Sequence, residues 1–271
     1  MANVTVVDDG EPLAATAAGR VTALIETAIS ARHRAAFCLT GGHTPERLYE
    51  LLADDTQPWR SRIDWGRVHV FWGDERHVPP DHPDSNYGMA YRTLLSRVPT
   101  PAEQIHRIRG EHPDPHEAAH EYEVELRTVR LSPSPLRGFG ATSQPDPLFD
   151  VMLLGVGEDA HIASIFPGSP LLARGAGLHP STTLGAGGPP ELVAAVWAKH
   201  LGAWRITLTP RALLDSHTTL VLTSGAEKAG AVREALTSPD DLSRYPAQLV
   251  RHAEWLIDRA AAQSLDGLPG R

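Results

Sequence analysis

The sequence predicts an α/β fold in which a mostly parallel, doubly wound sheet carries helices on both faces. Three observations predict it. Short apolar runs at residues 35–39, 68–72 and 149–154 have the length and composition of buried strands. Stretches with helical spacing alternate with them, and such alternation points to parallel strands joined by crossover helices. Each of the three runs ends in a polar, glycine-containing turn, at Thr40, Gly73 and Gly155.

Residues 13–31 carry Ala, Val, Leu and Ile at helical spacing and predict an amphipathic helix. The strand at 35–39 follows, then the turn Thr40-Gly41-Gly42-His43-Thr44-Pro45 and a helix over 44–53. The strand at 68–72 ends in Gly73-Asp74-Glu75-Arg76, read as a charged loop. Residues 86–95 are expected to be helical. Residues 115–130 form a helix with Pro115 in the first turn. Pro, Ser and Gly make 132–147 a loop. After the strand at 149–154, further strands are expected at 191–198, 205–208, 218–224 and 254–258, with a helix over 227–236. Together they describe one Rossmann-like domain over 1–265, with 266–271 as a frayed tail. Ligands in such folds bind outside the carboxyl ends of the strands.

Composition narrows the function. The 271 residues are 41% hydrophobic and 21% charged, ordinary for a globular chain. The formal net charge of −8 argues against a nucleic-acid partner, which needs a basic surface. An anionic ligand must therefore be met by a local positive site. Cys38 is the single cysteine, so neither an internal disulfide nor a cysteine-based zinc site is expected. The N-terminus lacks the basic start and apolar run of a signal peptide, and no stretch reaches membrane-span length. The expectation is a cytoplasmic protein, a monomer or small homo-oligomer, with no membrane partner.

The turns at the strand ends carry the chemistry. At Gly41, Gly42 and Thr44 a glycine turn opens a helix, which reads either as a phosphate site or as a tight turn with a Thr cap. Arg76 reads as a grip on an anionic oxygen, oriented by Asp74 or Glu75; a solvated loop is the plain alternative. His77 and His82 lie on a Pro-rich loop without a recognised ligand spacing, so no metal site is expected. Gly155-Val156-Gly157-Glu158-Asp159-Ala160 matches the dinucleotide fingerprint. The acidic residue wanted about 20 positions on is missing, and Arg174 at best supports a phosphorylated ribose. In the other reading Asp159 caps a following helix, His161 sits in its first turn, and the positive end of the helix dipole keeps the ring neutral, as a general base. Ser164 and Ser169 show no triad partner and no nucleophile elbow, so water is the simpler nucleophile. Arg205, Thr207 and Thr209 alternate onto one side of a short run. Lys228, at a helix start, suits a cationic phosphate pocket.

In combination these segments resemble the 6-phosphogluconolactonases of the pentose phosphate pathway. The resemblance runs from about Leu39 to Ala231. It rests on Phe71-Trp72-Gly73-Asp74-Glu75-Arg76-His77-Val78 with Asp84-Ser85-Asn86-Tyr87-Gly88-Met89, and on Leu154 to Pro167. Arg205-Ile206-Thr207-Leu208-Thr209 and Glu227-Lys228 follow in the family's order. The chain departs from the pattern at His43 for Ser, Ala160 for Gly and Ile162 for Thr, and keeps only Lys199 of a Lys-Pro-Pro run.

The resemblance implies a sugar phosphate lactone as substrate, hydrolysed without metal or organic cofactor. It implies His161, Arg76 and Asp74 as catalytic residues. Gly41, Gly42, Thr44, Asp159, Arg205 and Lys228 are then the substrate- and phosphate-binding residues. The related glucosamine-6-phosphate deaminases are the alternative to which Ile162 leans. A nicotinamide-dependent dehydrogenase and a non-catalytic sugar-phosphate sensor are readings of different classes.

Overall fold

The computed structural model describes residues 3–131, 146–173 and 191–265. The chain begins β1 (Asn3–Val7), α1 (Gly10–Arg32), β2 (Ala35–Leu39), α2 (His43–Ala53), β3 (Val68–Trp72), β4 (Asp74–Arg76), α3 (Asn86–Ala90) and α4 (Pro115–Leu131). It continues β5 (Phe149–Leu154), α5 (Pro170–Ala173), β6 (Val193–Ala198), β7 (Ala203–Leu208), α6 (Pro210–Leu213) and β8 (Ser216–Thr223). It closes with α7 (Ala229–Thr237), β9 (Glu254–Asp258) and α8 (Arg259–Ala262). Most of the predicted loop at 132–147, the tail at 266–271 and Arg174 lie outside the described residues.

Six strands form the main sheet in the order β1-β9-β8-β5-β2-β3, all paired in parallel. This bears out the predicted α/β class. Every residue of β5 is buried, so both faces of the sheet are covered there. The chain steps from β2 outward to β3 and then returns to the other side of β2 with β5. The switch point between β2 and β5 is where such sheets open a crevice for ligand. None of the helices among the described residues is long and apolar enough to cross a membrane.

Local sequence explains the long elements. Asp9 caps α1 by accepting from Glu11 N at 3.0 Å, and the chain leaves the helix through His33 at φ 59°. Leu13, Ala17, Val21, Ile25 and Ala28 recur at helical spacing and are buried. Arg32 near the helix end pairs with Asp150 of β5, which also accepts from Ala36 N at 2.7 Å.

The structure departs from the sequence reading in three places. Strand β1 was not anticipated; it is an edge strand with no fully buried residue. Gly73-Asp74-Glu75-Arg76 is no solvated loop. Residues 74–76 form β4, which joins β7 and β6 in a separate antiparallel sheet, ordered β4-β7-β6. The expected helix after Asp159 does not form. Ala160 and Ala163 have φ 64° and 46°, left-handed values that stop a right-handed helix. The next helix is the short α5, beyond Pro167. Ala160 is nevertheless well anchored, since its carbonyl accepts from Ala247 N at 2.8 Å.

Two buried phenols fix the strand ends where the site begins. Tyr49 of α2 accepts from Thr40 N at 3.0 Å and donates to Thr40 O at 2.8 Å, just past β2. Tyr122 of α4 does the same to Trp72 at the end of β3, at 2.9 Å each way. Burial pushes both phenols well above the ordinary tyrosine value, so each keeps its proton to donate.

Tyr49→Phe and Tyr122→Phe each leave a buried N–H and C=O unpaired. Each is expected to lower unfolding stability by about 1–3 kcal/mol in urea titrations. Ala160→Gly relieves a left-handed alanine, which costs about 1–2 kcal/mol. It is expected to raise the unfolding midpoint; a lower midpoint would show that the turn carries no strain.

Candidate active site

Parallel pairing brings four strand ends side by side, because β8, β5, β2 and β3 are neighbours in that order. After β2 comes Gly41-Gly42, after β3 comes β4, after β5 comes the loop holding Asp159 and His161, and after β8 comes the turn to Lys228. The predicted site residues of these four segments therefore lie along one edge of the sheet.

The His161 loop is an irregular turn closed on itself. Gly157 N donates to His161 O at 2.9 Å and Ala160 N to Gly157 O at 3.0 Å. Asp159 Oδ1 lies 2.6 Å from His161 Nδ1 and accepts from His161 N at 3.2 Å. Burial raises the Asp159 pKa, but the hydrogen bonds and charge of His161 outweigh it, so the carboxyl sits below its ordinary value. Asp159 is thus an anion suited to accept an Nδ1–H, and a His161 that donates from Nδ1 has Nε2 left to take a proton. The helix dipole proposed from the sequence plays no part. The closure also needs Gly157: a Cβ there would lie 2.0 Å from His161 Nδ1.

Strands β4 and β7 supply the positive charge. Arg76 faces Arg205 across the pair, and Asp74 faces Thr207 two residues along on the same side. Burial first, then the neighbouring Arg76 charge, lowers Arg205 below its ordinary value, partly offset by Asp74, Asp84 and Glu75. Like charges placed opposite one another are unfavourable, and an anion on this face would relieve them. Arg76 is held by the carbonyl of Asp84, to which its guanidinium donates.

The acids expected to orient Arg76 act elsewhere. Glu75 accepts from Arg76 N at 2.8 Å, Asn86 N at 2.7 Å, Tyr87 N at 2.8 Å and Ser85 Oγ at 3.1 Å. It ties β4 to the start of α3. Burial raises its pKa in spite of those donors. Asp74 is buried and accepts from Ser164 Oγ at 2.5 Å and from Asn86 Nδ2 at 3.2 Å.

At the β2 end, Gly42 is the N-cap of α2 with φ 106° and offers no side-chain cap. The first amides of that helix, at His43 and Thr44, are therefore open to an anion. Gly41 must lack a side chain, since a Cβ would lie 1.8 Å from Asn86 Oδ1. At the β8 end, Lys228 Nζ lies 3.9 Å from Glu158 Oε1, which places it beside the His161 loop. Thr209 is buried and donates to Glu191 O at 2.9 Å, so it serves the fold.

Sequence reasoning missed Asn86, Ser164, Thr207 as an acceptor, Glu158 and Phe166. Phe166 lies against His161 and against His200, ring centroids 4.7 Å apart in each case. A cavity of about 900 Å³ adjoins, with Ser164, Phe166, Lys199 and His200 in its wall. Among the described residues no three His, Cys, Asp or Glu side chains are grouped to hold a metal.

The chain is similar to known proteins over most of its length. Residues 8–257 match the model of the family described as glucosamine-6-phosphate isomerases/6-phosphogluconolactonase. The chain is 35% identical over 248 residues to a 6-phosphogluconolactonase of Synechocystis, covering 90% of each chain. It is 34% identical over 239 residues to one of Haemophilus influenzae, covering 86% of this chain and 88% of that one. The solved 6-phosphogluconolactonase of Trypanosoma brucei superposes with a TM-score of 0.77 at 27% identity, covering 98% of this chain and 99% of that one. The chain belongs to the glucosamine-6-phosphate isomerase/6-phosphogluconolactonase family.

Proposed function

We infer that this protein is a 6-phosphogluconolactonase, which hydrolyses 6-phospho-D-glucono-1,5-lactone to 6-phospho-D-gluconate in the oxidative pentose phosphate pathway. For its mechanism, the observation that carries the reading is the 2.6 Å contact between Asp159 and His161 Nδ1. It leaves Nε2 of His161 to take a proton from water as the water oxygen attacks C1 of the lactone. The carbonyl oxygen gains negative charge, which Arg76 stabilises. Collapse breaks the bond between C1 and the ring oxygen, and the imidazolium returns its proton to that oxygen. Such general acid–base help contributes about 10²–10⁴ in rate.

Arg205, Lys228 and the opening of α2 at Gly41, Gly42 and Thr44 bind the substrate and its phosphate. Three kinds of anion donor thus meet at one edge of an otherwise acidic protein. Asp74 contributes by position, since both its oxygens are engaged by neutral side chains. The lactone carbonyl is already a reactive electrophile, so the route uses no metal and no organic cofactor.

The purified protein is expected to open the lactone well above the spontaneous rate with a chelator present. Ammonia release from glucosamine 6-phosphate without lactone hydrolysis would favour the deaminase reaction instead. Activity lost to the chelator and restored by metal would contradict the metal-free route. Gly157→Ala displaces the His161 ring and is expected to lower kcat by about 10²-fold, the cost of an ångström-scale misplacement. An unchanged kcat would mean that His161 is not held where the mechanism needs it.

A further inference from the structure

We propose that Ser164 is a positioning residue, and that its bond to Asp74 is the latch that sets His161 against the arginine face of β4 and β7. This rests on the lactonase reading above.

Ser164 lies three residues beyond His161 on the same irregular loop and is only 1% exposed. Its hydroxyl donates to Asp74 Oδ2 at 2.5 Å, and its amide donates to the hydroxyl of Thr207 at 3.2 Å. Asp74 and Thr207 are opposite partners in the β4–β7 pair, and Arg76 and Arg205 are the next pair on that face. One residue of the loop therefore grips both strands beside the two guanidinium groups. The loop's other outward bond, from Ala247 N to Ala160 O at 2.8 Å, reaches the segment after α7 and not β4 or β7. The bonds of Gly157 to His161, Ala160 to Gly157 and Ile165 to Ile162 lie inside the turn. These shape the loop without fixing its place relative to the second sheet.

The second oxygen of Asp74 reaches Asn86 Nδ2 at 3.2 Å, and Asn86 fills the space left by Gly41. The latch thus links the turn after β2, the strand after β3 and the loop after β5. A hydroxyl donated to a carboxylate forms a short, charge-assisted bond, and both partners here are buried. Ser164 is not placed to attack a substrate, because it is buried and its proton points at Asp74.

The test compares wild type with Ser164→Ala, Ser164→Thr, Thr207→Val, Asp74→Asn and the double variant of Asp74→Asn with Ser164→Ala on the lactone, with a thermal melt of each. Ser164→Ala is expected to lose about 10- to 100-fold in kcat with KM changed less than about threefold. Ser164→Thr keeps the hydroxyl and is expected to recover most of that loss. Asp74→Asn combined with Ser164→Ala is expected to lose less than the product of the two single losses. A folded Ser164→Ala with kcat within about twofold of wild type overturns the latch, as does a Ser164→Thr variant equally impaired. If Ser164→Ala does not fold, Thr207→Val decides: a kcat loss at constant KM supports the latch and an unchanged kcat overturns it. Wild type that does not hydrolyse the lactone overturns the lactonase reading and the latch with it, whereas active wild type with an unaffected Ser164→Ala overturns the latch alone.

Discussion

Parallel strand pairing is the constraint on which the site depends. Parallel strands end on the same edge of a sheet, so the turns after β8, β5, β2 and β3 are neighbours although up to about 190 residues separate them in the chain. The reversal of strand order between β2 and β5 marks the point where such sheets receive a ligand. Tyr49 and Tyr122 then hold the ends of β2 and β3 by pairing backbone groups that the ladder no longer reaches. The turns can be irregular because the strands that launch them are fixed.

A second constraint is electrostatic. The protein carries a net charge of −8 and binds an anionic substrate, so positive charge must be concentrated locally. Opposing Arg76 and Arg205 on a two-strand face does this. Asp74 on the same face prevents the pair from repelling without relief, yet its oxygens are spent on Ser164 and Asn86 and do not neutralise either guanidinium by direct contact. In the proposed reaction this arrangement keeps the arginines available for an incoming oxyanion or phosphate.

Much of this was legible in the sequence. The buried strands, the long helices and the three glycine turns follow from hydrophobic period and turn chemistry. Asp159, His161 and Arg76 were singled out because they follow two of those turns, and Lys228 because it stands at a helix start. What was not legible has physical causes. Ala160 and Ala163 adopt left-handed backbone without being glycine, so the family's Gly at position 160 was the one sign that no helix follows Asp159. Strand β4 has three residues, all charged, and takes its identity from β7 about 130 positions away. Ser164 looked partnerless because its partner, Asp74, lies 90 residues upstream. Contacts across such distances belong to tertiary structure, and local pattern cannot carry them.

The proposed reaction depends on His161 as the base that activates water. The most direct measurement is the lactone-hydrolysis kcat of His161→Ala beside wild type, with both shown to be folded. A loss of about 10²–10⁴-fold is predicted, the range for removal of a general acid–base group. A His161→Ala protein that turns over the lactone at the wild-type rate would contradict the account.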